Sequence, residues 1–397
     1  MTKKKVILAF SGGLDTSFSV PYLIDKNYEV ITMTVDTGGF SPLELKSIAK
    51  KSKKLGAIRH HQIDGKKAMF ETLISYIIKT NGLYENSYPN MCADRYIIVE
   101  QLIKIAKKEK TKLVAHGSTA MGNDQIRFDV ALMTIAPGLK IITPIREMGG
   151  DRKKEQRYLA NKGFLIDKVS KKYTVNQNIL GMTYSGAQID KVKEPDETMF
   201  IWTKAKKTKQ RYISIVFSKG IPISLNGKSL AGFKILQKLN EQVGSFGYGR
   251  GYYTGNCVVG IKGHIVFEAP GILALIKAHL ALEQLVLTKH QLTIGQFVNQ
   301  QFTDFLFSGK FYEPVVKNLK KFIDSQQERV CGEVVLKLNP GQVQAVELKS
   351  PFSLINPKIA TYAQECTWST RDAEGFIKLY GLQSKIAVSL KKGDRNH

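Results

Sequence analysis

Cysteine is scarce: four in 397 residues, Cys92, Cys257, Cys331 and Cys366, with no CxxC pair. That excludes a disulfide framework and a zinc ribbon. His279 and His290 have no partner at metal-ligand spacing, so no resident metal centre is expected. No run of about 18 uncharged apolar residues occurs, which excludes a transmembrane helix and a membrane partner. MTKKK followed by VILAF is too short an apolar run for a signal peptide and reads as the first strand of a cytoplasmic protein. Acidic residues are few, 34 against 59 Lys plus Arg, giving a net charge of +25. The basic runs, such as Lys50–Lys54 and Lys204–Lys209, are short and dispersed. They describe a solvated surface that attracts anionic small substrates better than a nucleic-acid track. Repeats and low-complexity tracts are missing, and the length suits two or three domains.

What is present centres on residues 6–17, VILAFSGGLDTS. Val6 to Phe10 is an unbroken apolar run, as expected of a strand buried on both faces of a parallel sheet. Ser11, Gly12 and Gly13 make a sharp turn, and Asp15, Thr16 and Ser17 are helix-start residues. A strand, a glycine turn and a helix start aim unpaired backbone N–H groups at an anion. The stretch lacks the Lys of GxxxxGK[ST] and the spacing of GxGxxG. It resembles the pyrophosphate-binding (PP) loop of ATP pyrophosphatases, which transfer AMP to a substrate oxygen.

Alternating strands and helices follow. The pattern predicts helices over 16–26, 42–55, 65–80 and 94–109, and strands over 29–35, 59–63, 113–116 and 140–143. Ser41 and Pro42 suit the start of the second helix. This is an α/β, doubly wound parallel sheet, whose ligands sit at the carboxyl ends of the strands. Residues 115–128, AHGSTAMGNDQIRF, lie at such an end. Thr119, Asn123, Asp124 and Arg127 offer a hydroxyl, an amide, a carboxylate and a guanidinium. With a helix starting near Asn123, Asn123 and Arg127 share a face. Arg pairs with a carboxylate and Asp with an ammonium, so the set suits an amino acid.

AFSGGLDTS together with GSTAMGNDQIRF resembles the argininosuccinate synthase family, through most of the chain. The resemblance implies ATP-dependent joining of citrulline and aspartate through a citrullyl-adenylate, with release of AMP and pyrophosphate, and a homotetramer. It implies that ATP meets Ala9, Phe10, Ser11, Gly12, Gly13, Leu14, Asp15, Thr16, Ser17 and Val35, with Gly117 near its phosphates or ribose. Mg²⁺ and the loop N–H groups would take the pyrophosphate, and Asp15 would orient the loop or the metal rather than act as a base. Thr119, Asn123 and Asp124 would hold aspartate; Asn123, Arg127 and Tyr88 would hold citrulline. Thr183, at a family serine position, and Ser185 are further citrulline candidates within the polar stretch 174–188, which otherwise reads as a solvated connector. The chain departs from the common motif in places. Ala120-Met121 replaces Gly-Lys, Asn90 to Ala93 (with Met91 and Cys92) replaces a hydroxyl-rich loop, Gly255 replaces a glutamate and Phe267 a tyrosine. A divergent branch of the family, with GIKGHIVFEAP-like sequence, is the nearest resemblance.

Beyond Lys168 the reading is an α+β domain. It has a strand at 211–218, an amphipathic helix at 230–242 and a strand pair over 252–267 around Lys262-Gly263. Glu268 then serves the dipole of an apolar helix at 271–287, and a hairpin turns at Asn339-Pro340-Gly341. The aromatics of 296–314 belong to a buried helix face or a subunit interface. Residues 1–165, 166–354 and 355–397 are the expected nucleotide domain, substrate domain and oligomerisation tail. Two other readings stay open: a PP-loop enzyme adenylating a tRNA base, with Cys92 as sulfur carrier, and a non-catalytic nucleotide- or amino-acid-binding relative.

Overall fold

The computed structural model describes residues 3–164, 173–186 and 188–393. They form two compact units, Met1–Phe352 and Ser353–His397. The domain boundary expected at 165/166 lies outside the described residues.

The first half of the larger unit is built on five parallel strands. These are β1 (Lys4–Ala9), β2 (Tyr28–Asp36), β3 (Arg59–Asp64), β4 (Leu113–Ala115) and β5 (Lys140–Ile142), in the order β3-β2-β1-β4-β5. Val6, Ile7 and Leu8 are all fully buried because β1 alternates between two cores. Val6 and Leu8 pack with Phe18 and Leu23 on one face. Ile7 packs with Ile31 and Ile97 on the other. The helices that supply these layers are α1 (Leu14–Asp25), α2 (Pro42–Lys54), α3 (Lys66–Met69), α4 (Ser75–Lys79), α5 (Asp94–Lys108), α6 (Asp124–Ile135), α7 (Pro144–Glu147) and α8 (Arg152–Asn161). The helix read at 65–80 is therefore two pieces, joined by a π turn at Phe70–Ile74. α2 begins as its sequence predicts, with a Ser41–Glu44 capping box and Pro42 at the first turn. α1 starts earlier than read. Gly13 is its N-cap, so Leu14 and Asp15 lie inside the first turn instead of ahead of it. Strand order reverses between β1 and β4, and the loops after these two strands flank that switch point.

The second half holds two antiparallel sheets, ordered β10-β9-β8-β13-β14 and β11-β12-β7-β6. Their strands are β6 (Thr174–Asn178), β7 (Gly181–Ser185), β8 (Arg211–Ser218), β9 (Ile221–Leu225), β10 (Lys228–Ser229), β11 (Arg250–Asn256), β12 (Lys262–Glu268), β13 (Gly332–Asn339) and β14 (Gln342–Lys349). α9 (Gly232–Gly244), α10 (Pro270–Val286), α11 (Lys289–Phe307) and α12 (Pro314–Gln327) complete it. Two expectations need correction. The polar stretch after residue 173 is no connector: β7 lies between β6 and β12, and Gly181 to Tyr184 are buried. The turn between β11 and β12 runs over Cys257–Ile261, closed by Cys257 N–H donating to Ile261 O at 2.8 Å, so Lys262-Gly263 already belongs to β12. Most of the 296–314 aromatics do face the core, Phe302, Phe307 and Phe311 among them, while Phe297 is exposed.

The smaller unit carries α13 (Thr370–Tyr380), capped by Ser369 and Asp372, and α14 (Leu382–Gly393). No residue of α13 is buried.

Candidate active site

Between β1 and α1 the chain turns through Gly12 at φ +76°, a conformation that suits glycine. Gly13 N–H and Thr16 Oγ1 lie 3.4 and 3.3 Å from Ser11 Oγ, and Ser17 Oγ donates to Gly12 O at 3.3 Å. These hydroxyls fix the turn from within. The N–H groups of Leu14, Asp15 and Thr16 head the helix, where no carbonyl lies four residues back. Ala9 ends β1, and Phe10 is buried, its carbonyl accepting from Thr34 Oγ1. The loop after β4 closes on the same point. A Cβ at Gly117 would lie 3.0 Å from Thr16 Cγ2, so the lack of a side chain there eases the close approach of the two loops. Val35, near the end of β2, is buried. Beside it a cleft of about 600 Å³ is lined by Asp36, Gly38, Phe40, Gln62 and Lys66.

Farther along, α6 carries the polar set. Arg127 is 3% exposed. Its Nε donates to Phe307 O at 2.9 Å, its Nη1 to Asp124 Oδ1 at 2.8 Å, and its guanidinium lies over the Phe307 ring. Among the described residues nothing meets the buried Nη2. Crowding by protein would raise the Asp124 carboxyl, but the charges of Arg95 and Arg127 outweigh it and hold that carboxyl below its ordinary value. Asn123 is the N-cap residue of α6, yet its side chain does not cap. Its Oδ1 accepts instead from Val258 N–H at 3.0 Å. The Asn123 and Arg127 side chains, expected to share a face, thus have different anchors. Thr119 sits in the loop between β4 and α6 and takes part in no hydrogen bond among the described residues.

Tyr88 and Thr183, 95 residues apart, meet: their hydroxyl oxygens are 3.4 Å apart, both residues buried. Met91 Sδ lies 3.9 Å from Thr183 Oγ1. Ser185 ends β7, paired with Thr174. Phe267 pairs with Thr183 across β12 and β7, and its ring is edge-on to Tyr88, so no polar group stands there. Burial pushes the Cys92 thiol up to about 11, so it is held as the thiol near neutrality. A Cβ at Gly255 would run into Glu85 Oε2 and the Tyr253 hydroxyl, so a carboxylate from another loop fills that space.

Several residues escaped the sequence reading. Arg95 donates from Nε to Asp124 Oδ2 at 3.0 Å and from Nη1 to Asp94 at 2.7 Å, bracing the carboxylate that Arg127 also holds. Its place one turn past the Tyr88 loop was the only signal. Lys51 of α2 puts Nζ 2.7 Å from Gly12 O. His116 donates to Asp129 Oδ1 at 2.7 Å and accepts from Ser118 N–H at 3.3 Å, which fixes the tautomer with the proton on Nε2. Glu155 of α8 is buried against Asp15; burial and the Asp15 carboxylate push it up to about 7. Glu268, read as serving the dipole of α10, has hydrogen-bond partners elsewhere. Its carboxylate accepts from the N–H groups of Ile201, Trp202 and Thr203 and from the Tyr184 hydroxyl, pinning a loop to β12.

Comparison with known proteins adds a second line of evidence. A family model described as the arginosuccinate synthase N-terminal HUP domain matches residues 5–165, and one for the C-terminal domain matches 173–387. The argininosuccinate synthase of Xanthomonas campestris pv. campestris is 41% identical over 399 residues, covering 99% of this chain and all of that one. That of Xylella fastidiosa is 40% identical over 403 residues, with both chains fully covered. That of Dictyoglomus turgidum is 39% identical over 400 residues, covering 99% of each.

Proposed function

The chain belongs to the argininosuccinate synthase family, and we propose that the crevice between β1 and β4 takes ATP while the arginine–aspartate cluster of α6 takes the amino acids. The enzyme joins L-citrulline to L-aspartate, releasing AMP and pyrophosphate, in arginine biosynthesis. The ureido oxygen of citrulline is a poor leaving group. Its attack on the α-phosphate forms an O–P bond and breaks the bond to pyrophosphate. The aspartate amine then attacks the activated carbon, AMP departs with the C–O electron pair, and the amine gives up its proton. Three reactants must be held in order, so positioning and charge neutralisation carry the catalysis.

The residues take these roles. Main-chain N–H groups and hydroxyls of Ala9 to Ser17 cradle the phosphates, with Gly117 facing them and Val35 beside the cleft that suits the base. Thr119, Asn123 and Asp124 hold aspartate. Asn123, Arg127, Tyr88, Thr183 and Ser185 hold citrulline. The observation that carries this reading is the unmet, buried Nη2 of Arg127 beside a fixed Asp124, a donor awaiting a carboxylate next to a carboxylate able to take an ammonium. With apolar side chains at Met91 and Phe267, the citrulline backbone depends all the more on Arg127. No described cluster of three His, Cys, Asp or Glu suits a metal. Mg²⁺ would enter on the polyphosphate and neutralise its charge, with Asp15 the carboxylate that the loop itself provides. Residues 1–165 then serve the nucleotide, 166–354 the amino acids and 355–397 a homotetramer. No described helix is long and apolar enough to cross a membrane, and the four cysteines are free.

Pyrophosphate release from Mg·ATP, with citrulline and aspartate supplied together and singly, tests this. Release should require citrulline, and argininosuccinate should appear with aspartate. Arg127→Ala should lose about 2–5 kcal/mol of transition-state binding, roughly 30-fold or more in kcat/KM for citrulline. An unchanged KM for citrulline would remove Arg127 from the site.

A further inference from the structure

The tip of the β11–β12 hairpin touches both substrate loops. On one side, Glu85 accepts from the Tyr253 hydroxyl at 2.9 Å, from Asn256 N–H at 3.1 Å and from Asn256 Nδ2. Glu85 lies three residues before Tyr88, in a turn closed by Tyr84 N–H to Tyr88 O at 2.7 Å. On the other side, Val258 N–H donates to Asn123 Oδ1 at 3.0 Å. Between the two contacts the chain is stiff. Cys257 N–H bonds Ile261 O, and Gly260 N–H bonds Cys257 O at 3.0 Å. Gly255 contributes by lacking a side chain, since a Cβ there would displace the Glu85 carboxylate.

The contact on Asn123 has a chemical consequence. A backbone N–H only donates, so it selects the oxygen of the amide and turns the NH₂ the other way. Among the described residues nothing bonds that NH₂. Asn123 therefore turns its two amide donors to the side away from Val258, where they suit a carboxylate or a ureido oxygen.

We propose that Glu85 is a positioning residue: by holding the hairpin tip it keeps Val258 N–H on Asn123 Oδ1 and so presents the Asn123 NH₂ to citrulline. This rests on the reading that Asn123 meets citrulline. Glu85 and Asn256 are exposed while Tyr253 is buried, so substitution at Glu85 or Asn256 breaks the network from its exposed side.

Two measurements on the full chain test it. Amide hydrogen exchange at Val258 reads the latch itself: Glu85→Ala and Asn256→Ala should each speed it by about tenfold, a typical hydrogen bond's worth. Steady-state pyrophosphate release reads the consequence. Glu85→Ala should raise KM for citrulline about tenfold with KM for ATP unchanged, and Glu85→Gln, which keeps an acceptor oxygen, should recover part of it. In an Asn123→Ala background the Glu85→Ala effect should vanish. Unchanged exchange at Val258, or an equal Glu85→Ala effect in both backgrounds, would overturn the proposal. Faster exchange in Glu85→Ala, together with a wild-type pyrophosphate release that ignores citrulline, would keep the latch and sink the citrulline reading instead.

Discussion

Lys51 Nζ lies 2.7 Å from the Gly12 carbonyl oxygen, where the phosphate loop turns through φ +76°. The family motif carries a lysine in the loop after β4, but here Met121 stands there, 78% exposed. Lys51 of α2 places an ammonium on the loop itself. Lys51→Ala is expected to raise KM for ATP roughly tenfold, the scale of one charge-assisted hydrogen bond, with KM for citrulline unmoved. The increase should shrink as salt is raised, and Lys51→Arg should retain most of the affinity. An unchanged KM for ATP at low ionic strength would remove Lys51 from the phosphate site. The sequence could not single this lysine out, because it sits in a helix with Lys50, Lys53 and Lys54 and nothing local separates a loop-anchoring lysine from a solvated one.

At the scale of elements, what was legible was local. The apolar run of β1, the Ser41-Pro42 start of α2 and the turn of the β13–β14 hairpin each depend on neighbours in sequence, and each forms as read. The β6–β7 hairpin was illegible because distant groups satisfy its polar residues. Asn178 Nδ2 reaches Met91 O at 2.6 Å and Thr183 meets Tyr88, contacts that no window of sequence contains. The same holds where α8 crosses α1. Glu155 looks like one charge on a basic helix, yet it is buried against Asp15 and titrates at about 7 in place of its ordinary 4.5. The folded state thus binds this proton more tightly than the unfolded chain. Its stabilisation is complete below about 4.5 and is lost as pH rises through about 7. Thermal unfolding between pH 5 and 8 should show stability falling by on the order of 1–2 kcal/mol, and Glu155→Gln should flatten that slope. A Gln variant with the wild-type slope would assign the pH dependence elsewhere.

For the whole molecule, the tail poses the question of assembly. Phe376, Ile377, Leu379 and Tyr380 of α13 are each more than 60% exposed, and Leu390 of α14 is 69% exposed. A regular, capped helix with its apolar side uncovered is what an arm looks like before it meets a partner, and a second copy of the chain is the partner that symmetry favours. Net charge opposes such a meeting: copies at +25 each repel, so any contact through this face would have to rest on apolar burial. Two consequences follow for sedimentation velocity. Phe376→Glu with Tyr380→Glu should lower the sedimenting mass while ATP affinity is kept. Raising ionic strength should strengthen assembly of the wild-type chain, because salt screens repulsion without weakening the apolar contact. An interface held by salt bridges would respond in the opposite sense, and a mass unmoved by the double substitution would place the interface on another face.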